Sequence, residues 1–263
     1  MDTIIVRYSE IGIKGKNRGY FEKKLINNIK DCLNKNNIEF DSIRRYSGRI
    51  LISTEDKCLY LKNVFGISSF SPAVRIEIDI NKIKEESLKL YKEGSFRIST
   101  KRLNKKFNFT SEQLNKEIGE FIIKNKKAKV NLNNPNCNIA IEIMDYAYLF
   151  NERYNGFCGL PVCSEGLVTL ILDSKNSLLA GILMMKRGCN LEIIKEKEIN
   201  FNILEKYCYG SRINIVDKPS NESKFIIKVS SLEDVKSKLY NLPVLNPLIA
   251  NEKNLFENIW MPS

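Results

Sequence analysis

The sequence contains no histidine. Histidine is the side chain whose ordinary pKa lies nearest neutrality. Its absence removes the usual proton shuttle and leaves carboxylates, lysine, cysteine or tyrosine for any acid–base step. No apolar run approaches the length of a membrane span, which needs about 20 residues. Residues Met1 to Tyr8 read as a strand and lack the charged-then-apolar order of a secretory leader. The seven cysteines include no Cys-x-x-Cys pair of the kind that builds zinc sites. An odd number of thiols without a leader implies a reducing, cytoplasmic setting.

What is present is ordinary for a globular protein, with 43% hydrophobic and 28% charged residues. A chain of 263 residues can hold two or three small domains with their own cores. The formal charge of +11 favours a polyanionic partner, because Lys and Arg laid on RNA release condensed counterions.

Residues 1–79 read as a first module. A strand over Thr3 to Tyr8 leads into a basic loop, Ser9 to Gly19, and Asn17 is placed to cap a helix starting near Arg18. Phe21, Leu25, Ile29 and Leu33 recur every four residues and give that helix one apolar face. Strands Ser42 to Tyr46 and Arg49 to Ser53 flank a Ser47-Gly48 turn. A helix around Leu59 to Val64 and a strand around Phe70 to Ile78 complete the order of a ferredoxin-like split βαβ unit. Arg7, Lys14, Lys16 and Arg18 gather around the loop and the helix start, a grouping suited to phosphate.

Residues 80–157 form a second α/β module. Ile83 to Tyr91 reads as a helix and Ser95 to Thr100 as a strand, followed by a basic, aromatic loop with Lys101, Arg102, Lys105, Lys106, Phe107 and Phe109. Thr110 and Gln113 make a capping box for a helix burying Leu114 and Ile118. Strands follow at Val130 to Leu132, Asn138 to Met144 and Tyr146 to Asn151. Cations beside rings suit a single-stranded RNA end, where phosphates meet charge and bases stack. Phe107 and Phe109 are equally candidates for the core.

Residues 158–263 read as a small parallel α/β module of Rossmann-like type. A buried strand, Val168 to Leu172, is followed by the polar loop Asp173, Ser174, Lys175, Asn176 and a helix from Ser177 to Arg187 that Gly188 stops. Further strands are expected at Leu191 to Ile194, Ile213 to Val216 and Phe225 to Val229, with helices at Asn202 to Tyr207 and Leu232 to Tyr240. A loop between a strand and a helix N-terminus commonly binds anions and usually needs glycine, so that backbone can approach phosphate. This loop has none, although Lys175 attracts phosphate electrostatically.

Three stretches resemble the tRNA 4-thiouridine synthase (tRNA sulfurtransferase) family. Val6 through Phe21 match the opening signature V-R-Y-x-E-I-x-x-K-G-x-N-R-x-x-F, and Val64 to Pro72 match V-F-G-I-x-S-F-S-P. The run from Phe96 to Gly119 resembles the family's THUMP domain, a tRNA-binding module. The run from Gly159 to Gly188 resembles its domain junction and first strand–loop–helix. The resemblance implies binding of the tRNA 3′ acceptor end, with Arg97, Lys101, Arg102, Lys105, Lys106, Thr110 and Ser111 as contacts. Asn115 and Gly119 match as packing residues. The family's nucleotide loop, S-G-G-x-D-S, holds ATP, which adenylates the target uridine; the stretch Asp173 to Ser177 lacks both glycines and the aspartate. The segment Leu242 to Lys253 resembles a late family motif that arrives early here, and the position of the cysteine that takes up sulfur is expected to be lacking.

The expectation is therefore a tRNA-binding protein with no catalytic residue, metal or cofactor. It would present tRNA to a separate modifying enzyme in the cytoplasm, with a homodimer allowed and no membrane. The alternative is an active tRNA sulfurtransferase using ATP and Mg, with sulfur on Cys158, Cys163, Cys189 or Cys208. A metal or redox protein built on those cysteines is a third class.

Overall fold

The first strand, β1 (Thr3–Arg7), is buried at all five positions, as a β-branched run in a central strand should be. The computed structural model describes residues 1–104, 107–229 and 242–248. In chain order the elements are β1, α1 (Arg18–Lys35), β2 (Ser42–Tyr46), β3 (Arg49–Ser53), β4 (Ser69–Ile76), α2 (Ile80–Leu90), β5 (Ser95–Arg102), α3 (Ser111–Asn125), β6 (Lys129–Val130), β7 (Cys137–Ile143) and β8 (Ala147–Phe150). There follow β9 (Tyr154–Asn155), β10 (Gly166–Leu172), α4 (Lys175–Lys186), β11 (Cys189–Lys195), α5 (Asn202–Glu205), β12 (Asn214–Ile215), β13 (Ser223–Ile227) and β14 (Val244–Leu245). These elements fall into two compact units that cut across the order of the chain.

The first unit comprises residues 1–7, 39–59 and 69–154. Its sheet runs in the order β2-β3-β1-β4-β8-β7-β5-β6. β1 pairs antiparallel with β3 and β4, so no edge of it faces solvent. β5 pairs parallel with both β6 and β7. Helices α2 and α3 bury Ile83, Leu114, Ile118 and Ile122 in a cluster with Phe96, Ile139 and Ile141. α2 begins earlier than its periodicity alone suggests because Asp79 caps it, accepting from the N–H groups of Asn81 and Lys82 at 2.9 Å each. The Thr110–Gln113 capping box forms as expected at the start of α3.

The second unit comprises residues 8–38, 60–68 and 155–263. α1 buries Phe21, Leu25, Ile29 and Leu33 as the spacing requires. Its entry differs from expectation. Two 3-10 turns, Glu10–Ile13 and Gly15–Asn17, lead into it, and Asn17 is itself helical, so its side chain makes no cap. The helix expected around Leu59 to Val64 is a 3-10 turn, Leu59–Asn63. The sheet is wholly parallel with order β12-β11-β10-β13-β14. Numbered from β10, that is 3-2-1-4-5, the doubly wound Rossmann order. α4 covers it with Leu178, Ile182 and Met185, packed with Leu170, Leu172, Leu191 and Ile193. Phe65 and Tyr207 stack in the same cluster at 5.6 Å between ring centroids. The helix expected at Leu232 to Tyr240 lies outside the described residues. No described helix is long and apolar enough to cross a membrane.

Candidate nucleic-acid interface and nucleotide loop

The basic loop of the second unit is more ordered than its sequence implies. Ile11 is fully buried and pins the first 3-10 turn, while Ile13 stands 86% exposed at its far side. Lys14 lies over the Phe21 ring, 4.5 Å from its centroid, and reaches Glu165 at 3.5 Å. Arg18 is tied down at the start of α1, donating to Glu22 at 2.9 Å and to the Tyr8 hydroxyl at 2.7 Å. Tyr8 in turn donates to Glu22. Lys16 is exposed and pairs with none of the described residues.

Arg7 is a correction. Read as a phosphate contact, it is only 6% exposed, inside the first unit. Its guanidinium donates to Glu142 at 2.8 and 3.0 Å and to Ser71 at 3.0 Å. Arg49 holds the other oxygen of Glu142 at 2.8 Å. Burial alone would raise the Glu142 carboxyl, but the two arginines outweigh it and hold the group below the usual carboxylate range. Sequence reasoning missed Glu142. The available signal was a lone carboxylate in the strand Ile-Ala-Ile-Glu-Ile, which demands a buried cation. Arg44 is similarly engaged, with Asp145 and the Tyr148 hydroxyl each at 2.8 Å.

In the first unit the loop between β5 and α3 is shaped by Arg102, which donates to the backbone oxygens of Phe107, at 2.9 Å, and Phe109. The Ile143 carbonyl accepts from Leu103 and Asn104. Phe107 and Phe109 lie 5.4 Å apart and pack, half-buried, against the helix-covered core. Both rings therefore lean toward the core reading. Arg97 donates to Asn138 at 3.2 Å and to the Leu132 carbonyl at 2.9 Å. Thr110 is occupied in its cap and Ser111 is half-buried in the first turn of α3. Lys101 is exposed. Lys105 and Lys106 lie outside the described residues. Asn115 accepts from the Thr100 N–H at 3.0 Å, which fits a packing role.

The nucleotide loop is shorter than expected. Only Asp173 and Ser174 separate β10 from α4; Lys175, Asn176 and Ser177 already belong to the helix. The Ser177 hydroxyl, in a fully buried residue, accepts from the N–H of Ser174 at 3.2 Å and of Asp173 at 3.4 Å, and donates to the Asp173 carboxylate at 2.7 Å. The turn sits after the first strand of the doubly wound order, at the switch point where such sheets bind ligands. Here its backbone donors face inward to a side chain, and an anionic carboxylate occupies the helix N-terminus. The turn thus offers a phosphate no glycine, and the N–H groups of Asp173 and Ser174 are already bonded to Ser177.

Cys158 and Cys163 adopt left-handed backbone with φ of 59° and 70°, a conformation glycine takes freely. Cys163 donates to the Gly210 carbonyl at 3.3 Å. Burial pushes the Cys208 thiol up to about 11 and raises that of Cys189, which disfavours the thiolate that nucleophilic chemistry needs. Among the described residues no group of three or more metal-binding side chains comes together.

The ThiI ferredoxin-like domain model matches residues 3–71 and the THUMP domain model residues 75–150. The probable tRNA sulfurtransferase of Thermococcus kodakarensis is 33% identical over 258 residues, covering 88% of this chain and 67% of that protein. The chain belongs to the tRNA sulfurtransferase family. Across the curated relatives it matches, this family member spans half to two thirds of their length. The crystal structure of PH1313 from Pyrococcus horikoshii Ot3 superposes with a TM-score of 0.87 at 32% identity, covering 98% of each chain. A 4-thiouridine synthetase–RNA complex with bound ATP shares the fold, with a TM-score of 0.78 at 24% identity, covering 94% of this chain and 81% of that one.

Proposed function

We propose that this member of the tRNA sulfurtransferase family binds tRNA at its 3′ acceptor end without ATP pyrophosphatase activity, as an accessory factor that presents tRNA to a separate modifying enzyme. The RNA contacts are Lys14, Lys16, Arg18, Arg97, Lys101, Arg102, Lys105, Lys106, Thr110 and Ser111. The net charge of +11 and the THUMP match support the RNA half of this reading. So does the likeness in fold to a synthetase crystallised with RNA. The loss of catalysis rests on one observation: the donors of the Asp173–Ser174 turn are closed on Ser177, with no glycine to let a phosphate near.

A titration with intact tRNA, tRNA lacking its 3′ terminal bases and a plain duplex tests the RNA half. Intact tRNA is expected to bind tightest; equal affinity for all three refutes acceptor-end recognition. Conversion of ATP to AMP and pyrophosphate in the presence of tRNA tests the rest, and none is expected. The second reading, an active tRNA sulfurtransferase with ATP and Mg, is favoured by the name its relatives carry. Turnover lost on Lys175→Ala or Ser177→Ala would establish it.

A further inference from the structure

The second unit holds a cavity of about 560 Å³ away from the Asp173 turn. Glu165, just before β10, lines it together with Cys189 at the start of β11 and Lys224 at the start of β13. The Asp173 turn follows the last residue of β10. The part of β10 running from Val168, which lines the cavity, to the turn at Asp173, roughly 15 Å, therefore separates the two places.

The lining of the cavity includes three cations, Lys14, Arg187 and Lys224, against the single carboxylate of Glu165. None of the three cations is firmly neutralised. Lys14 meets Glu165 at 3.5 Å and Arg187 meets Glu10 at 3.4 Å. Lys224 donates to the backbone oxygen of Glu165 at 3.0 Å rather than to its carboxylate. Exposed pairs this long contribute little, so an incoming dianion would gain all three. The wall is of the other kind, with Val168, Met184 and Phe225 lining it.

The rim is built in advance. The Gly188 carbonyl accepts from both Ser164 and Glu165, at 2.9 and 3.0 Å. Gly188 has φ of +94°, and a Cβ there would lie 2.4 Å from the Ser164 hydroxyl. Leu160, another lining residue, donates to the Lys186 carbonyl at 2.9 Å, and a Cβ on neighbouring Gly159 would lie 2.3 Å from that same oxygen. The two glycines that frame the Gly159 to Gly188 stretch thus set the shape of this cavity. A site whose walls need no ordering on binding loses less of its interaction energy.

We propose that this cavity binds a nucleoside monophosphate unit, its phosphate held by Lys14, Arg187 and Lys224 and its base laid against Phe225 and Met184. The volume falls in the range of small-molecule sites. Three cations and a ring in one lining match the two halves of a nucleotide. The unit can be free nucleotide or one nucleotide of a bound RNA; only the second source rests on the tRNA reading above.

The full chain is titrated with CMP, AMP, cytidine and inorganic phosphate, using calorimetry and backbone NMR shifts. CMP or AMP is expected to bind at least about tenfold tighter than cytidine or phosphate, and Arg187→Ala and Lys224→Ala each to weaken it about tenfold. Lys224→Arg retains binding, and the exposed Lys197→Ala leaves it unchanged. Occupancy also slows alkylation of Cys189, which lines the cavity, as mapped by mass spectrometry. If tRNA protects Cys189 as CMP does, the unit comes from RNA. If CMP protects and tRNA does not, the ligand is free nucleotide. Absence of tRNA binding defeats the earlier reading and leaves CMP to decide this one. No saturable binding of CMP or AMP to about 10 mM, weaker than specific sites of this kind show, overturns the proposal. So does binding unmoved by both alanine variants while they remain folded.

Discussion

Arg7 separates the role read from local sequence from the role read from the tertiary structure, and Arg7→Met tests which holds. The substitution removes a guanidinium that makes bonds of 2.8 and 3.0 Å to Glu142 and one of 3.0 Å to Ser71. It also removes a cation 4.9 Å from the Phe150 ring centroid. Breaking one side of a buried ion pair costs about 3–5 kcal/mol, because the remaining charge stays buried. Arg49 remains on Glu142 at 2.8 Å, which places the expected loss near the lower end, about 3 kcal/mol. For a chain of this size that is a fall in Tm of roughly 6–12 °C, readable by circular dichroism with a urea titration beside it. The second readout is the salt dependence of tRNA binding. Each phosphate neutralised contributes about 0.7–0.9 to the log–log slope. Arg7→Met is expected to leave that slope unchanged, measured where the variant is folded. Lys16→Ala, at an exposed position, is expected to reduce it by that amount while moving stability by less than about 0.5 kcal/mol. An Arg7→Met protein within about 1 kcal/mol of the parent, or with a reduced slope, refutes the structural assignment.

The same network predicts a pH dependence. Folding lowers the Glu142 pKa, so the unfolded chain takes up the proton first as pH falls. The stabilisation is complete above the unfolded value, about 4.3, and is lost as pH drops through the folded one. The stability gap between the parent and Glu142→Gln should therefore narrow below about pH 4; a gap constant across that window, in urea titrations at a series of pH values, contradicts the pairing. Thr110→Ala removes the hydroxyl that accepts from the Gln113 N–H, one half of a capping box, and should lower the stability of the first unit by about 1 kcal/mol, with faster amide exchange in the first turn of α3. Ser177→Ala strands the N–H groups of Asp173 and Ser174, so the second unit should lose about 1–3 kcal/mol with no gain in ATP affinity. A neutral effect on stability would show that the Ser177 hydroxyl does not close the turn.

Period and punctuation carried much of the fold. The four-residue recurrence of Phe21, Leu25, Ile29 and Leu33 located α1 and its buried face, since that periodicity is set by helix geometry. The Thr110–Gln113 spacing located the start of α3 because a capping box is a local event. Boundaries depended on partners distant in sequence. β5 runs on to Arg102 because β7 pairs with it through Ile143. α4 begins at Lys175, two residues earlier than its apolar pattern indicates, because the Ser177 hydroxyl holds the turn behind it.

The candidate site divides along the same line. Charge excess, motif spacing and the missing glycines of the Asp173 turn are properties of the chain, and they alone pointed to RNA and to a nucleotide loop without its phosphate-cradling glycines. Whether a given cation faces solvent is not a chain property. Arg7 and Lys16 are both basic residues beside one loop, yet Glu142, 135 positions away, draws Arg7 into the interior, while nothing described pairs with Lys16. Likewise Lys14, Arg187 and Lys224 share no motif and line one cavity only because parallel strands bring the starts of β11 and β13 beside that of β10, while Lys14 reaches Glu165 from the loop before α1. Local sequence determines which groups can carry charge or start a helix; burial and long-range pairing determine which of those charges remain available to a ligand.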